Sequence, residues 1–170
     1  MKLAFKLIDK LIANPSKMNL IALDKLFKIG IPFNAPHGFK IVEMNQDKVR
    51  ITLPNRKLNH NHLSGIHACA IATVGEFCAG LSLLSSFGIS QYRLIMSEMH
   101  VTYTYQGKMD LEGVCLVQQI DQASIHTALR ETGQYLQKLI TKISDKNGNE
   151  VATVTTTWQL KPWDKVKTKI

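Results

Sequence analysis

The hydrophobic positions of the chain follow a helical period at its start. Over MKLAFKLIDKLIA, leucine and isoleucine recur every three or four residues with lysines opposite them, which predicts an amphipathic helix. Asn14-Pro15 breaks this helix, and Ser16 is placed to cap a second one that ends at Gly30. We expect this N-terminal region, residues 1–32, to pack on its own domain, and the alternative is attachment to anionic lipid.

The period changes to that of strands after the loop IPFNAPHG. Two short strands flank the turn-forming Asn45-Gln46-Asp47 and predict a hairpin of Phe39–Met44 and Lys48–Leu53. Further along the chain, alternation and turn signals predict four long strands, at 92–105, 109–120, 134–144 and 150–161. The segment DQASIHTALRE between the second and third of these is expected to be irregular or helical.

Between the hairpin and the long strands lies a segment that is apolar or small on nearly every side. It contains NHLSGIHACAIATVGEFCAG and continues to about Ser86, where Gly88 ends the helix. A helix without a polar face belongs in the middle of a protein. Glu76 lies inside it, and a buried carboxylate is normally hydrogen-bonded, neutralised by a raised pKa or kept for chemistry.

Length and composition change this picture little. The 170 residues, 45% hydrophobic and 20% charged, are those of one soluble globular domain. No apolar run is expected to be long enough to cross a bilayer, so we expect no transmembrane segment. Three cysteines without metal-ligand spacing, and charges that interrupt any signal-peptide core, favour a cytoplasmic protein with buried thiols.

The net charge of +8 raises the question of nucleic-acid binding. The lysines are scattered and fall mostly in the first and last thirds of the chain, so no nucleic-acid partner is expected. A phosphate-bearing small ligand, an acidic surface or simple solubility explains the charge equally well.

The order of elements predicts an α+β fold. A hairpin, one long buried helix and four strands fit a single antiparallel sheet of about six strands that curls around the helix. This order resembles the hotdog fold, as one domain over residues 33–170 with two extra N-terminal helices.

The long helix strengthens the resemblance. Many hotdog acyl-CoA thioesterases of the phenylacetate-pathway type carry an asparagine, a glycine three residues later, a histidine and two glycines after three more, and an acid nine residues past the histidine. This chain retains the spacing of Asn61, His67 and Glu76. It departs from the pattern at three positions, with Ser64, Ala68 and Cys69 where the family has glycine. The resemblance covers roughly 39–161 and is nearest to the hotdog branch catalogued as domain of unknown function 4442.

The resemblance implies a site. In such thioesterases the acyl-CoA lies in a cleft between two protomers, so Glu76 would be the general base or nucleophile. Asn61 would orient water or the carbonyl, and His67 would shape the turn or hydrogen-bond across the cleft. The backbone N–H groups at the helix start would polarise the carbonyl, and they belong to four residues, Gly65, Ile66, Ala68 and Cys69. No cofactor is expected beyond the coenzyme A thioester as substrate, and the partner is a second copy in a homodimer or possibly a tetramer.

Other functions stay open. The lost glycines suggest a non-catalytic acyl-ligand binding or interaction module, and a hotdog hydratase or dehydratase is a further enzyme alternative. Glu76 itself would serve equally in a structural polar network. A metal site at His60, His62 and His67 is not expected, because zinc-ligand spacing is absent. A Cys69–His67 couple is not expected either, since residues two apart on a helix do not face each other.

Overall fold

The structure, a computed structural model, describes residues 2–167. Four α-helices and six strands make up this part of the chain. In chain order they are α1 (Lys2–Ala13), α2 (Lys17–Gly30), β1 (Lys40–Met44), β2 (Lys48–Leu53), α3 (Ala68–Phe87), β3 (Tyr92–Tyr103), β4 (Leu111–Leu116), α4 (Gln122–Thr132), β5 (Tyr135–Asp145) and β6 (Glu150–Pro162). The predicted helices and strands are all present, and the segment DQASIHTALRE, which was expected to be irregular or helical, contains most of α4.

The strands form a single antiparallel sheet in the order β1-β2-β4-β5-β6-β3. β1 and β3 are therefore the two edges, and β3 is the longer of them with 12 residues. The sheet curves around α3, which contacts β2, β4, β5, β6 and β3. This confirms the predicted α+β class and the predicted hotdog arrangement.

The face of the sheet that covers α3 carries the core. Along β6, alternate residues point inward and are buried, as their spacing predicts: Ala152, Val154, Thr156, Trp158 and Leu160. Helix and sheet approach closely at Gly75, where a Cβ atom would lie 2.5 Å from Val154 Cγ2. The Thr141 hydroxyl donates to the Gly75 carbonyl over 3.1 Å at the same place. A glycine is needed here because the space is occupied by Val154.

The length of α3 corrects one expectation from the sequence. The expectation that no apolar run approaches the length of a bilayer span is wrong, because Ala68–Phe87 is long and apolar enough by itself. Most of this helix is buried against the sheet, as in the core helix of a soluble protein. The apolar run therefore serves the protein core.

The N-terminal helices pack on this core. Ile8 and Ile12 of α1 and Leu23 and Phe27 of α2 are buried in the same hydrophobic cluster as α3. Ser16 caps α2, since its hydroxyl accepts the N–H of Asn19 over 3.2 Å. The spacing of the apolar positions at the chain start thus corresponds to a buried face.

β4 is shorter than predicted, for a local reason. It ends at Leu116 instead of continuing to Ile120. The side chain of Gln119 then pairs with β5 in place of backbone, donating to the Ile140 carbonyl over 2.9 Å and accepting the Ile140 N–H over 2.8 Å. Because a side-chain amide here makes the hydrogen bonds that strand backbone would make, the alternation of residues does not reveal where β4 ends.

We expect Gly75→Ala to lower the free energy of unfolding by about 2 kcal/mol, because the new methyl group overlaps Val154 and forces α3 off the sheet. Urea denaturation measures the change. Gly30→Ala is the matched control, since a Cβ atom at Gly30 has nothing within 4 Å. Equal stability of the two variants would contradict the close contact.

Candidate active site

One face of α3 is left partly uncovered by its own chain. Residues three or four apart share a side of a helix, and five residues at this spacing keep some exposure. We call them the α3 stripe: Cys69, Thr73, Glu76, Gly80 and Leu84. Between Ala70 and Leu83 every residue of α3 outside the stripe is buried, so a ligand can reach this part of the helix along the stripe.

Glu76 is the single ionisable carboxylate of the α3 stripe. It is mostly buried, and no hydrogen bond or ion pair among residues 2–167 reaches its side chain. Burial alone raises the pKa of Glu76 from the usual 4.5 to about 7. A carboxyl group with this pKa exchanges protons near neutral pH, as a general base requires.

A cavity of about 620 Å³ lies over the part of the α3 stripe that begins at Glu76. Its wall on α3 is made by Glu76, Phe77, Gly80, Leu81 and Leu84. The opposite wall comes from α1 and α2, and β3, Trp158 and Trp163 close the sides. We call this space the α3 cavity. The helices that the sequence presented as additions to the hotdog domain therefore form part of the site.

The start of α3 is organised by His67. This residue is the N-cap, and its Nδ1 atom accepts the N–H of Cys69 over 3.0 Å. His67 also donates its own N–H to the Asn59 carbonyl over 2.7 Å. His67 thus shapes the turn, which is one of the two roles that the resemblance implied for it.

Asn61 organises the loop before the helix. Its Oδ1 atom accepts the N–H of Leu63 over 2.9 Å and that of Gly65 over 3.2 Å. Ser64 within this loop has a φ of 59°, a left-handed conformation in which glycine carries no steric penalty. The glycine that the thioesterase pattern has at this position would thus suit the left-handed backbone. In this chain Ser64 adopts the same conformation.

The four predicted backbone donors differ in availability. The N–H of Gly65 is taken by Asn61, that of Ile66 by the Gly107 carbonyl and that of Cys69 by His67. No hydrogen bond among residues 2–167 uses the N–H of Ala68. The Ala68 N–H is thus the group at the helix start that can donate a hydrogen bond to a substrate oxygen, and it lies at the positive end of the helix dipole.

The acid and the helix start are far apart within one copy. Glu76 follows Ala68 by eight residues, which corresponds to about 12 Å along a helix. Asn61, His67 and Ala68 are brought together at the helix start, and Glu76 is not brought to them. A single substrate carbonyl cannot touch both Glu76 and the Ala68 N–H of the same chain.

β3 supplies an uncovered apolar surface beside the start of α3. Met99 and Tyr103 pair with the inward-facing Thr156 and Ala152, so both lie on the side of the sheet that carries α3. They are nevertheless 45% and 46% exposed. The Tyr103 hydroxyl donates to the Ala68 carbonyl over 2.9 Å and ties the strand to the helix start. No pattern in the sequence indicates this contact, because it joins positions 35 residues apart.

The remaining candidates lie apart from one another. Arg93, Arg130 and Lys138 are cations that could meet the phosphates of coenzyme A, and they lie on three different elements: Arg93 on β3 at the α3 cavity, Arg130 on α4 and Lys138 on β5. Within the described residues, no three histidine, cysteine or acidic side chains are close enough to hold a metal. Cys69 and His67 meet only through the backbone N–H of the cysteine.

Comparison with known proteins places this architecture. A family model described as a domain of unknown function, DUF4442, matches residues 21–160. No curated protein matches the chain.

Among solved structures, similar folds occur in several bacteria. A Pseudomonas aeruginosa protein of unknown function, described as a probable thioesterase, is 24% identical with a TM-score of 0.72, over 81% of this chain and 91% of that one. A Haemophilus influenzae thioesterase is 10% identical with a TM-score of 0.69, over 88% and 94%. A Chlorobaculum tepidum protein of unknown function is 10% identical with a TM-score of 0.72, over 91% and 94%. At these identities the likeness shows the fold.

The raised pKa of Glu76 makes a prediction about stability. The folded protein holds a proton that the unfolded chain releases between pH 4.5 and about 7, so the stability of the wild type relative to Glu76→Gln falls as pH rises through this range. The full change is on the order of 3 kcal/mol. Urea unfolding of both proteins at several pH values measures it, and the other titrating groups cancel in the comparison. A difference that does not vary with pH would contradict the assignment.

Proposed function

The chain belongs to the DUF4442 family, and from this premise we propose that it is an acyl-CoA thioesterase of the hotdog type. The observation that carries the proposal is Glu76, a carboxylate without a partner among residues 2–167, on the uncovered face of the central helix and at the wall of an apolar cavity. A carboxylate retained for structure would have hydrogen-bond donors around it. The thioesterase described from Haemophilus influenzae has the same fold and supports the proposal.

The chemistry follows from two groups. Ionised Glu76 removes a proton from water as the oxygen attacks the thioester carbon, and the Ala68 N–H stabilises the negative charge on the carbonyl oxygen. Collapse of the tetrahedral intermediate breaks the C–S bond. The departing thiolate takes the proton back from Glu76, which yields the free acid and coenzyme A. Direct attack by Glu76 is the alternative, and it would leave a mixed anhydride that water hydrolyses.

The distance along α3 requires two copies for this chemistry. Because Glu76 and Ala68 of one chain lie about 12 Å apart, the carbonyl must lie between Glu76 of one copy and the helix start of the other. The free edge of β3 and the exposed Met99 and Tyr103 form a surface that a second copy would cover. A homodimer joined along β3 is therefore part of the proposal.

A second function has its own support. Ala68 and Cys69 place Cβ atoms where the thioesterase pattern has glycine, and the Cys69 N–H is already bound by His67. These features narrow the approach to the helix start and favour an acyl-CoA binding protein without turnover. Tight binding of acyl-CoA with no thiol release by the wild type would establish this alternative.

We expect Glu76→Gln to reduce kcat for acyl-CoA hydrolysis by at least about 100-fold, because the amide cannot accept the proton of water. Thiol release from a panel of acyl-CoA thioesters measures it, and circular dichroism checks the fold. Glu131→Gln is the matched control, since Glu131 lies exposed on α4. In the wild type, kcat/KM should rise with pH through about 7 as Glu76 ionises. Unchanged turnover in Glu76→Gln would overturn the proposal.

The two-copy site predicts complementation. Glu76→Gln and Asn61→Ala should each be inactive alone, since the first removes the base and the second releases the loop before α3. After mixing and subunit exchange, about half of the dimers are mixed, and each contains one intact site, so about a quarter of the wild-type activity should return. Activity that stays at the level of the single variants would contradict a site shared between copies.

A further inference from the structure

The α3 cavity has a floor and a roof made by different parts of the chain. Glu76, Gly80 and Leu84 of α3 form the floor. The roof comes from the N-terminal helices, with Phe5 and Ile8 of α1 above it. Leu26 and Phe27 of α2 continue the roof.

The roof is held in place by specific contacts. The Asp9 carboxylate on α1 accepts the N–H of Ile89 over 2.8 Å and that of Ser90 over 3.1 Å, just beyond the end of α3. The indole N–H of Trp163 donates to the Ile89 carbonyl over 2.8 Å, and the ring of Phe5 stacks on Trp163 at 5.9 Å. The cavity is thus a built compartment rather than a gap under a loose helix.

The walls select an apolar ligand. Among the lining residues of the described chain, only Glu76 and Arg93 are charged at neutral pH or near it, and Arg93 uses one guanidinium nitrogen on Gln159 over 2.9 Å. Every other lining side chain is aliphatic or aromatic, apart from two glycines. The Nε atom of Arg93 has no hydrogen-bond partner among residues 2–167 and Tyr92 carries a hydroxyl, but a ligand with polar groups along its whole length would leave most of them unpaired here.

The shape selects a long ligand. From Glu76 to Leu84 the floor follows α3 for eight residues, about 12 Å. An acetyl group at Glu76 would occupy only the first part of a cavity of about 620 Å³. A fatty acyl chain would follow the floor from one end to the other.

We propose that the α3 cavity binds a long acyl chain, whose carbonyl end lies at Glu76 and whose tail runs beneath α1 and α2 towards Leu84. The position of the carbonyl end rests on the function proposed above. That the ligand is a long acyl chain is inferred from the apolar walls, from the contacts that hold the roof and from the length of the floor. The N-terminal helices are on this basis the elements that determine substrate length.

Binding to the Glu76→Gln protein tests the proposal without turnover. Calorimetry with butyryl-CoA, octanoyl-CoA and palmitoyl-CoA should show affinity rising by up to about fourfold per methylene until the cavity is full, since burial of one methylene is worth about 0.8 kcal/mol. Affinity that does not change from butyryl-CoA to palmitoyl-CoA would overturn the proposal.

A variant that fills the far end of the α3 cavity tests whether the acyl chain binds there. Leu84→Trp enlarges the side chain at the far end of the floor and should weaken palmitoyl-CoA binding at least tenfold while leaving butyryl-CoA binding unchanged. Leu136→Trp is the matched control, because Leu136 is 57% exposed on β5. If Leu84→Trp does not fold, Gly30→Leu adds a side chain at the cavity wall where a Cβ atom meets nothing within 4 Å. Loss of palmitoyl-CoA binding in the control as well would overturn the location.

The two proposals fail in different ways. Chain-length-dependent binding without hydrolysis by the wild type would remove the thioesterase assignment and leave the cavity assignment standing. Hydrolysis of short acyl-CoA by the wild type, with no gain in binding for palmitoyl-CoA, would do the reverse.

Discussion

The close approach of α3 to the sheet at Gly75 is the constraint on which the rest of the structure depends. With Val154 against the helix backbone and Thr141 hydrogen-bonded to the Gly75 carbonyl, the helix cannot rotate or slide without losing both contacts. This fixed rotation decides which residues face away from the sheet. Glu76 is the next residue along the chain, so the same contact that buries Gly75 turns the carboxylate towards the uncovered face.

The environment of Glu76 determines both its effect on stability and its pKa. A carboxylate placed among apolar walls without hydrogen-bond donors destabilises the folded protein when it is ionised, and the raised pKa is the expression of that cost. The same environment keeps the group basic enough to take a proton near neutral pH. The burial that lowers stability is therefore also what brings the pKa of Glu76 close to neutral pH.

Much of this architecture could be predicted from the sequence, because periodicity reports which face of an element is buried. The alternation along β6 and the caps at Ser16 and Gly88 predict where strands and helices lie. The spacing of Asn61, His67 and Glu76 predicts the fold family. The hydrogen bonds from the Gln119 side chain to the backbone of β5 leave no such pattern. Neither does the bond from Tyr103 to Ala68, nor the roof that α1 and α2 place over Glu76, since these depend on the three-dimensional arrangement.

The roof of the α3 cavity and the position of Glu76 depend on different parts of the chain. The residues that position the Glu76 carboxylate lie on α3 and the sheet, whereas the roof over the cavity is contributed by a segment that precedes them. This segment is held by the buried apolar faces of α1 and α2, by the carboxylates of Asp9 and Asp24 and by the stack of Phe5 on Trp163. Substitutions in that segment can change the volume of the cavity while the Glu76 carboxylate stays where it is. Exchange of the first thirty or so residues would thus alter the size of the cavity without moving the residues of α3 that line it.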